Sequence, residues 1–197
     1  FRVAFEDGRA RVIELIPGQI LTRVRYETMK SENGWVQSDI ERDILKLSVV
    51  ERHKATGNIG LGLVMGFGLH AGALASSVAH DSHNLIAVGV SDQDIWRSLE
   101  EVKNMGGGMA VIRKGKVLSR VPLEVAGLMS RKPLKELAKQ WDEANRAAFS
   151  LGCTVPEPFM SLSFLTLPVI PELKLTDLGL VDVEKFSLVS LYEDEKI

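Results

Sequence analysis

Short apolar runs separated by turn residues make up most of this chain, and several of them alternate apolar and polar positions. Runs of roughly four to eight residues bounded by Gly, Pro, Asn or Asp are typical of strands. Strands are predicted at residues 1–5, 9–16, 20–26, 44–50, 73–79, 85–90, 109–112, 116–121 and 159–167. Turn signals lie at Glu6-Asp7-Gly8, Asn33-Gly34, Lys114-Gly115 and Thr176-Asp177-Leu178-Gly179. Tight turns between consecutive strands favour antiparallel pairing.

Two segments show helical spacing instead. Ser91 or Asp92 caps a helix with one apolar face, and the three glycines at 106–108 end it. Pro133 begins a second helix, which has an apolar stripe at three- and four-residue spacing. Residues 57–72 contain six glycines, too many for a comfortable helix interior. That segment is expected to be a loop that enters a short helix.

Many strands combined with only a few helices predict an α+β fold, a mostly antiparallel β-sheet flanked by α-helices. We expect a single domain over residues 1–197. The chain begins inside a strand-like run, so residues 1–26 are expected to link to a preceding part of a longer protein. The start shows no basic region followed by an apolar one, as a secretory signal would. The acidic end at 193–196 is expected to be solvated and frayed.

Composition narrows the functional classes. The formal net charge is −2, which provides no electrostatic footprint for nucleic acid. No apolar run approaches the roughly 20 residues that a membrane-spanning helix needs. Neither nucleic acid nor membrane is therefore predicted as a partner. The single cysteine, Cys153, rules out an internal disulfide, is expected to be a buried small hydrophobe, and suits a reducing cytoplasm.

All four histidines of the chain lie between Glu51 and Gly89. The segment His80-Asp81-Ser82-His83-Asn84, here called the histidine loop, joins the predicted strands 73–79 and 85–90. Two imidazoles and a carboxylate this close can bind a metal, shuttle protons or grip a polar heterocycle. The alternative is an Asx-type turn whose histidines cap backbone groups. Because dense polar side chains at a core edge favour function, we prefer the functional interpretation.

The segment Glu51-Arg52-His53 follows the predicted strand 44–50. Arg52 could pair with a carboxylate or stack on a base, and His53 could ligate a metal or hydrogen-bond. On spacing alone, an exposed charged rim at a strand end is the better explanation. The glycines nearby match neither a phosphate-binding loop nor a Gly-x-Ser-x-Gly elbow, so they are expected to serve packing and turns.

Long motifs surround the histidine loop. They are Glu51-Arg52-His53, Thr56-Gly57-Asn58-Ile59-Gly60-x-Gly62, Ser77-Val78-Ala79 before the loop, Pro158–Leu165, and Leu167–Lys174. In these residues the chain resembles the C-terminal part of the bacterial and archaeal adenine deaminases, members of the amidohydrolase superfamily. The resemblance covers nearly the whole chain. It implies a cytoplasmic, homo-oligomeric enzyme that hydrolyses adenine to hypoxanthine and ammonia at a binuclear manganese or iron centre in a (β/α)₈ barrel.

That barrel needs about 250 residues, so this chain cannot hold it beside the domain predicted above. The His-x-His pair of amidohydrolases is absent, because His80 and His83 are spaced His-x-x-His. The Pro-Cys-x-x-Cys signature of the unrelated zinc deaminases is missing too. The resemblance therefore implies no metal ligand in this chain. It implies an inactive isolated chain, whose partners are the barrel domain, a purine and further copies of the enzyme.

We expect the domain to pack against the open end of the barrel and close the substrate pocket. The catalytic candidates are His80, Asp81 and His83. The substrate-binding candidates are Arg52, His53, Ser82 and Asn84. Two alternatives stay open. The chain could be a structural and oligomerisation domain whose histidine loop is only a turn, or it could bind a metal by itself through the three catalytic candidates.

Overall fold

The computed structural model describes residues 1–193, which form thirteen strands and three helices. The strands are β1 (Arg9–Leu15), β2 (Thr22–Thr28), β3 (Ser31–Glu32), β4 (Trp35–Val36), β5 (Ile44–Val50), β6 (Ile59–Met65), β7 (Ala73–Ser76), β8 (Leu85–Gly89), β9 (Gly108–Arg113), β10 (Lys116–Pro122), β11 (Leu173–Thr176), β12 (Gly179–Asp182) and β13 (Ser187–Val189). The helices are α1 (Asp92–Asn104), α2 (Leu134–Ser150) and α3 (Pro158–Phe164). The predicted frayed end, from residue 194 onward, lies outside the described residues.

One eight-stranded sheet organises the domain, in the order β10-β9-β7-β8-β5-β6-β1-β2. All its neighbouring strands are antiparallel except β1 and β6, which run parallel through a short contact at Ile13 and Val64. A second sheet holds β11, β12 and β13, and β3 pairs with β4 in a small hairpin. The predicted α+β class is confirmed.

Both faces of the central strands are covered, which explains their continuous apolar runs. On one face, small residues of the sheet such as Ala73 and Ala75 pack with Ile95 and Leu99 of α1. On the other face, larger residues such as Leu74 join the core that includes α2, α3 and the β11–β12 hairpin. Along β7 and β9, alternation therefore places alanines against α1 and larger side chains such as Leu74 and Val111 in the main core.

Helix α1 follows its predicted signals. The Ser91 hydroxyl accepts a hydrogen bond from the Asp94 amide at 3.2 Å and caps the helix. Two acidic residues lie in the first turn, where they complement the helix dipole. Helix α2 also lies where predicted, but of its apolar stripe only Ala144 and Ala148 are buried, and Leu134 is 80 % exposed. Cys153 is buried, as predicted.

Three predicted elements were wrong. The glycine-rich segment forms strand β6 rather than a loop and helix. A Cβ on Gly60 would lie 1.8 Å from the Thr176 carbonyl oxygen, so glycine is needed where the β11–β12 hairpin crosses the strand. The run 159–167 forms helix α3, with Pro158 in its first turn. Residues 1–5 make only an isolated bridge, between Ala4 and Trp35, instead of a hairpin with β1.

Candidate functional site

The histidine loop joins β7 to β8, two central strands of the large sheet, at one end of those strands and is supported by α3. The His80 amide donates to the Ser163 carbonyl at 3.0 Å, and the Thr166 hydroxyl donates to the His80 carbonyl at 2.7 Å. The His80 ring also packs on Phe164, with ring centroids 4.9 Å apart. The predicted loop between the two strands is confirmed. Helix α3, in the segment for which the sequence predicted a strand, supports one side of it.

His83 is fixed by hydrogen bonds at its backbone and at its ring. Its amide donates to the Ala79 carbonyl at 2.6 Å, and the Ala79 amide donates to His83 Nδ1 at 3.3 Å. The His80 and His83 rings meet edge to face with centroids 5.4 Å apart. Burial, with further contributions from the positive charges of His80 and Arg52, lowers the pKa of His83 below its ordinary value. The neutral imidazole is therefore favoured.

Arg52 ties the histidine loop to a second loop. Its Nε donates to the His83 carbonyl at 2.5 Å and its Nη2 to the Ala126 carbonyl at 2.8 Å. Its backbone amide donates to Asn84 Oδ1 at 3.3 Å. Burial lowers the pKa of the guanidinium, which nonetheless stays charged at neutral pH. Within residues 1–193, the Arg52 guanidinium thus donates its hydrogen bonds to carbonyl oxygens rather than to a carboxylate.

His53 closes the other side of the loop. Its Nε2 lies 2.7 Å from the Ser82 carbonyl oxygen, while the His53, Ser82 and Asp81 side chains are all exposed. Glu51 shapes the turn in front of His53. Hydrogen bonds from the Thr56 amide, and then from the Lys54 and His53 amides, hold the pKa of Glu51 at about 2. Glu51 is therefore ionised at neutral pH, and its carboxylate holds the turn formed by residues 53–56.

Asn84 is 3 % exposed and is the buried member of the loop. Its Nδ2 donates to Asp177 Oδ1 at 3.1 Å, and Asn58 Nδ2 donates to the other Asp177 oxygen at 3.3 Å. Asp177 lies in the turn between β11 and β12, where the sequence indicated only a turn residue. The carboxylate thereby connects the second sheet to the histidine loop.

The structure brings the predicted candidates together. His80, Asp81, Ser82, His83 and Asn84 form the loop, and Arg52 and His53 bind its carbonyl groups. The residues that sequence reasoning missed are Ala126, Ser163, Thr166 and Asp177. Three of them act through a backbone carbonyl or a single hydroxyl, for which a sequence offers no signal. Their contacts also span long separations along the chain, up to 93 residues.

The metal centre that the resemblance implies has no ligand set in this part of the protein. Across the described range, 1–193, no group of three His, Cys, Asp or Glu side chains is arranged to hold a metal ion. None of the described helices is long and apolar enough to cross a bilayer. Within the histidine loop, Asp81 and Ser82 are exposed, His80 and His83 are partly buried, and Asn84 is buried.

Fold and loop together define an α+β domain that presents a braced polar loop at the ends of the central strands of an eight-stranded sheet. The family model for the adenine deaminase C-terminal domain matches residues 19–187, so the chain belongs to this family. The predicted resemblance is confirmed.

Curated relatives agree with this family assignment. The chain is 55% identical over 193 residues to "Adenine deaminase" of Desulfatibacillum aliphaticivorans, a match that covers 98% of this chain and 34% of that protein. It is 51% identical over 189 residues to "Adenine deaminase 2" of Carboxydothermus hydrogenoformans, covering 95% and 33%. For "Adenine deaminase" of Brucella melitensis it is 47% identical over 190 residues, covering 96% and 32%. The chain thus spans about a third of the length of the curated relatives it matches.

Proposed function

We propose that this domain is part of an adenine deaminase and closes the substrate pocket of the larger remainder of that enzyme. The reaction is the hydrolysis of adenine to hypoxanthine and ammonia. The proposal rests above all on the histidine loop, whose backbone is braced from three directions while His80, Asp81 and His83 keep side-chain atoms available. The substrate and the reaction are those for which the curated relatives are named.

The residues of this chain are assigned binding and positioning rather than activation of water. Binding adenine beneath a loop fixed by Arg52 would orient the ring and exclude bulk water, two established sources of rate enhancement. His83 and Asp81 offer a donor and an acceptor, which match the ring nitrogens and the exocyclic amine of a purine. Asn84 and Ser82 complete the polar wall. A manganese or iron centre, if bound by the remainder of the enzyme, would supply the activated water.

The test is mutation of the loop in the full-length enzyme. His83→Ala and Asp81→Ala should each lower kcat/KM by roughly tenfold or more, because each removes a hydrogen bond to the substrate in a closed site. The melting temperature of Asp81→Ala should stay close to that of the wild type, whereas His83→Ala should lower it modestly, because the buried Ala79 amide loses its acceptor. His70→Ala is the matched control, since His70 precedes β7 at the opposite end of that strand and is exposed. Near-normal kinetics for both loop variants would contradict the proposal.

A second candidate function is a structural and oligomerisation domain with no direct role at the active site. It is favoured by large apolar side chains on the surface, since Leu134 is 80 %, Phe186 81 % and Leu188 57 % exposed. The two functions differ in where the histidine loop lies in the full-length enzyme. Hydrogen-bond reach between this loop and the metal-site pocket in a crystal structure supports pocket closure, and a distant loop supports the structural role. In either case we propose a cytoplasmic homo-oligomer.

A further inference from the structure

We infer that His83 recognises one ring nitrogen of the purine by donating a hydrogen bond from Nε2, with its tautomer fixed by the backbone of Ala79. The inference rests on the proposed function, because it requires the histidine loop to face the substrate. It goes further by naming the donor atom in the protein and the class of acceptor atom in the ligand.

The tautomer follows from the contact at Nδ1. The Ala79 backbone amide lies 3.3 Å from His83 Nδ1, and a backbone N–H can only donate. Nδ1 must therefore present a lone pair, and the proton of the neutral ring must lie on Nε2. The His83 backbone amide also donates to the Ala79 carbonyl at 2.6 Å, which closes the same segment and holds the backbone that carries the ring. Arg52 holds the His83 carbonyl from the other side.

The surroundings favour the neutral ring. Burial, His80, Arg52 and His53 all disfavour a proton on His83, and the nearby Asp81 carboxylate opposes them. The pKa of His83 is lowered in sum, so the imidazole is neutral at pH 7. A neutral ring with Nδ1 occupied has one remaining function, the Nε2–H donor.

The other candidates of the loop are engaged differently. His53 Nε2 already meets the Ser82 carbonyl oxygen at 2.7 Å. Asn84 uses its oxygen for the Arg52 amide and its nitrogen for Asp177. Asp81 can only accept, so it suits the amine of adenine rather than a ring nitrogen. Compared with these three side chains, His83 has a single donor whose position is fixed by the Ala79 contact.

Adenine has three unprotonated ring nitrogens that accept hydrogen bonds, at N1, N3 and N7, when the remaining nitrogen carries the proton. Each of 1-deazaadenine, 3-deazaadenine and 7-deazaadenine replaces one of these nitrogens with a C–H group. A C–H group cannot accept from Nε2, so a donor aimed at that position loses its partner with one analogue only. These three compounds therefore report which nitrogen, if any, His83 contacts.

The experiment measures competitive inhibition constants of the three analogues, and KM for adenine, in the full-length enzyme and its variants. One analogue should bind the wild type roughly tenfold more weakly than the other two, the effect of one lost hydrogen bond. His83→Ala should weaken the other two analogues by about the same factor and leave that one unchanged. His83→Gln, which can place an amide nitrogen near the Nε2 position, should recover part of the loss. His83→Asn, which reaches only the Nδ1 position, should not recover it.

Each remaining outcome is decisive. Equal weakening of all three analogues by His83→Ala would overturn the inference while leaving the proposed function standing. Recovery by Asn rather than Gln would overturn the assignment of the proton to Nε2. No change with any analogue or with adenine would overturn both the inference and the proposed function. If the alanine variant fails to fold, the Gln and Asn pair, which fill similar space, decides the question, with His70→Ala as the control.

Discussion

The Arg52 guanidinium links the histidine loop to a second loop of the domain. Arg52 reaches carbonyl groups of two loops that are far apart in sequence, and Gly127 lies directly beneath it. A Cβ on Gly127 would lie 2.7 Å from Arg52 Nη1. Gly127 therefore leaves the space that the Arg52 guanidinium occupies. The sequence around Gly127 gives no sign of this contact.

This contact can be tested with two matched glycines. Gly127 and Gly115 share φ of +73°, but a Cβ on Gly115 meets nothing within 4 Å. Alanine at either position carries the left-handed backbone cost of roughly 1–2 kcal/mol. Gly127→Ala should lose roughly 1 kcal/mol more, because the displaced guanidinium gives up its bond to Ala126. Urea unfolding of both variants measures the difference, and equal losses would contradict it.

The members of the site differ in how far the sequence predicts them. The five residues of the histidine loop are consecutive and polar within an apolar segment, so composition alone indicates them. The resemblance also indicates Arg52 and His53 as substrate-binding candidates, whereas their spacing alone favours an exposed charged rim. The bracing groups could not be predicted, because Ser163 and Ala126 contribute carbonyl oxygens that every residue type possesses.

Strand β6 and helix α3 show why two elements were missed. The glycines in β6 suggested a loop. Gly60 is instead required because the β11–β12 hairpin crosses β6 there and leaves no space for a side chain. The mostly apolar run 159–167 fits a buried strand or a buried helix, and periodicity does not separate the two. Pro158 in the first helical turn was the available signal. The antiparallel sheet and α1, by contrast, followed from local turn and cap residues.

The hairpin of β11 and β12 should act on the site through Asp177. Asp177→Asn replaces one accepting oxygen with a donor, so the amide of Asn84 or of Asn58 loses its partner. The free energy of unfolding should fall by about 1–3 kcal/mol, the cost of leaving a buried polar group unsatisfied. Turnover by the full-length enzyme should fall as well, because Asn84 supports the Arg52 backbone.

Asp182→Asn on the same hairpin is the control for this effect. Its carboxylate pairs with the exposed Lys185 at 2.6 Å and does not contact the histidine loop. Surface pairs contribute little, so this variant should unfold close to the wild type and keep full turnover. Equal effects from both variants would mean that the hairpin as a whole, rather than its Asp177 carboxylate, supports the site.

Across the domain, four separate segments converge where the central strands of the large sheet end. They are the end of β5 with Arg52, the histidine loop, the end of α3 with Thr166, and the β11–β12 turn. Because both faces of the sheet are covered, polar side chains can remain accessible where the central strands end. A domain built this way can present a rigid wall to a partner without contributing the metal itself.

Activity should therefore require both this wall and the remainder of the enzyme. Under the proposed division of roles, the isolated chain should form no hypoxanthine from adenine, because the remainder of the enzyme would supply the activated water. Adding the barrel-containing remainder as a separate polypeptide, with Mn²⁺, should restore turnover if the two parts associate.

The same mixture with His83→Ala in this chain should associate equally but turn over roughly tenfold more slowly, because one substrate hydrogen bond is lost. Hypoxanthine release followed by absorbance, with association measured in parallel, separates failed assembly from failed chemistry. Turnover by this chain alone, or by the remainder alone at the full rate, would contradict the division of roles.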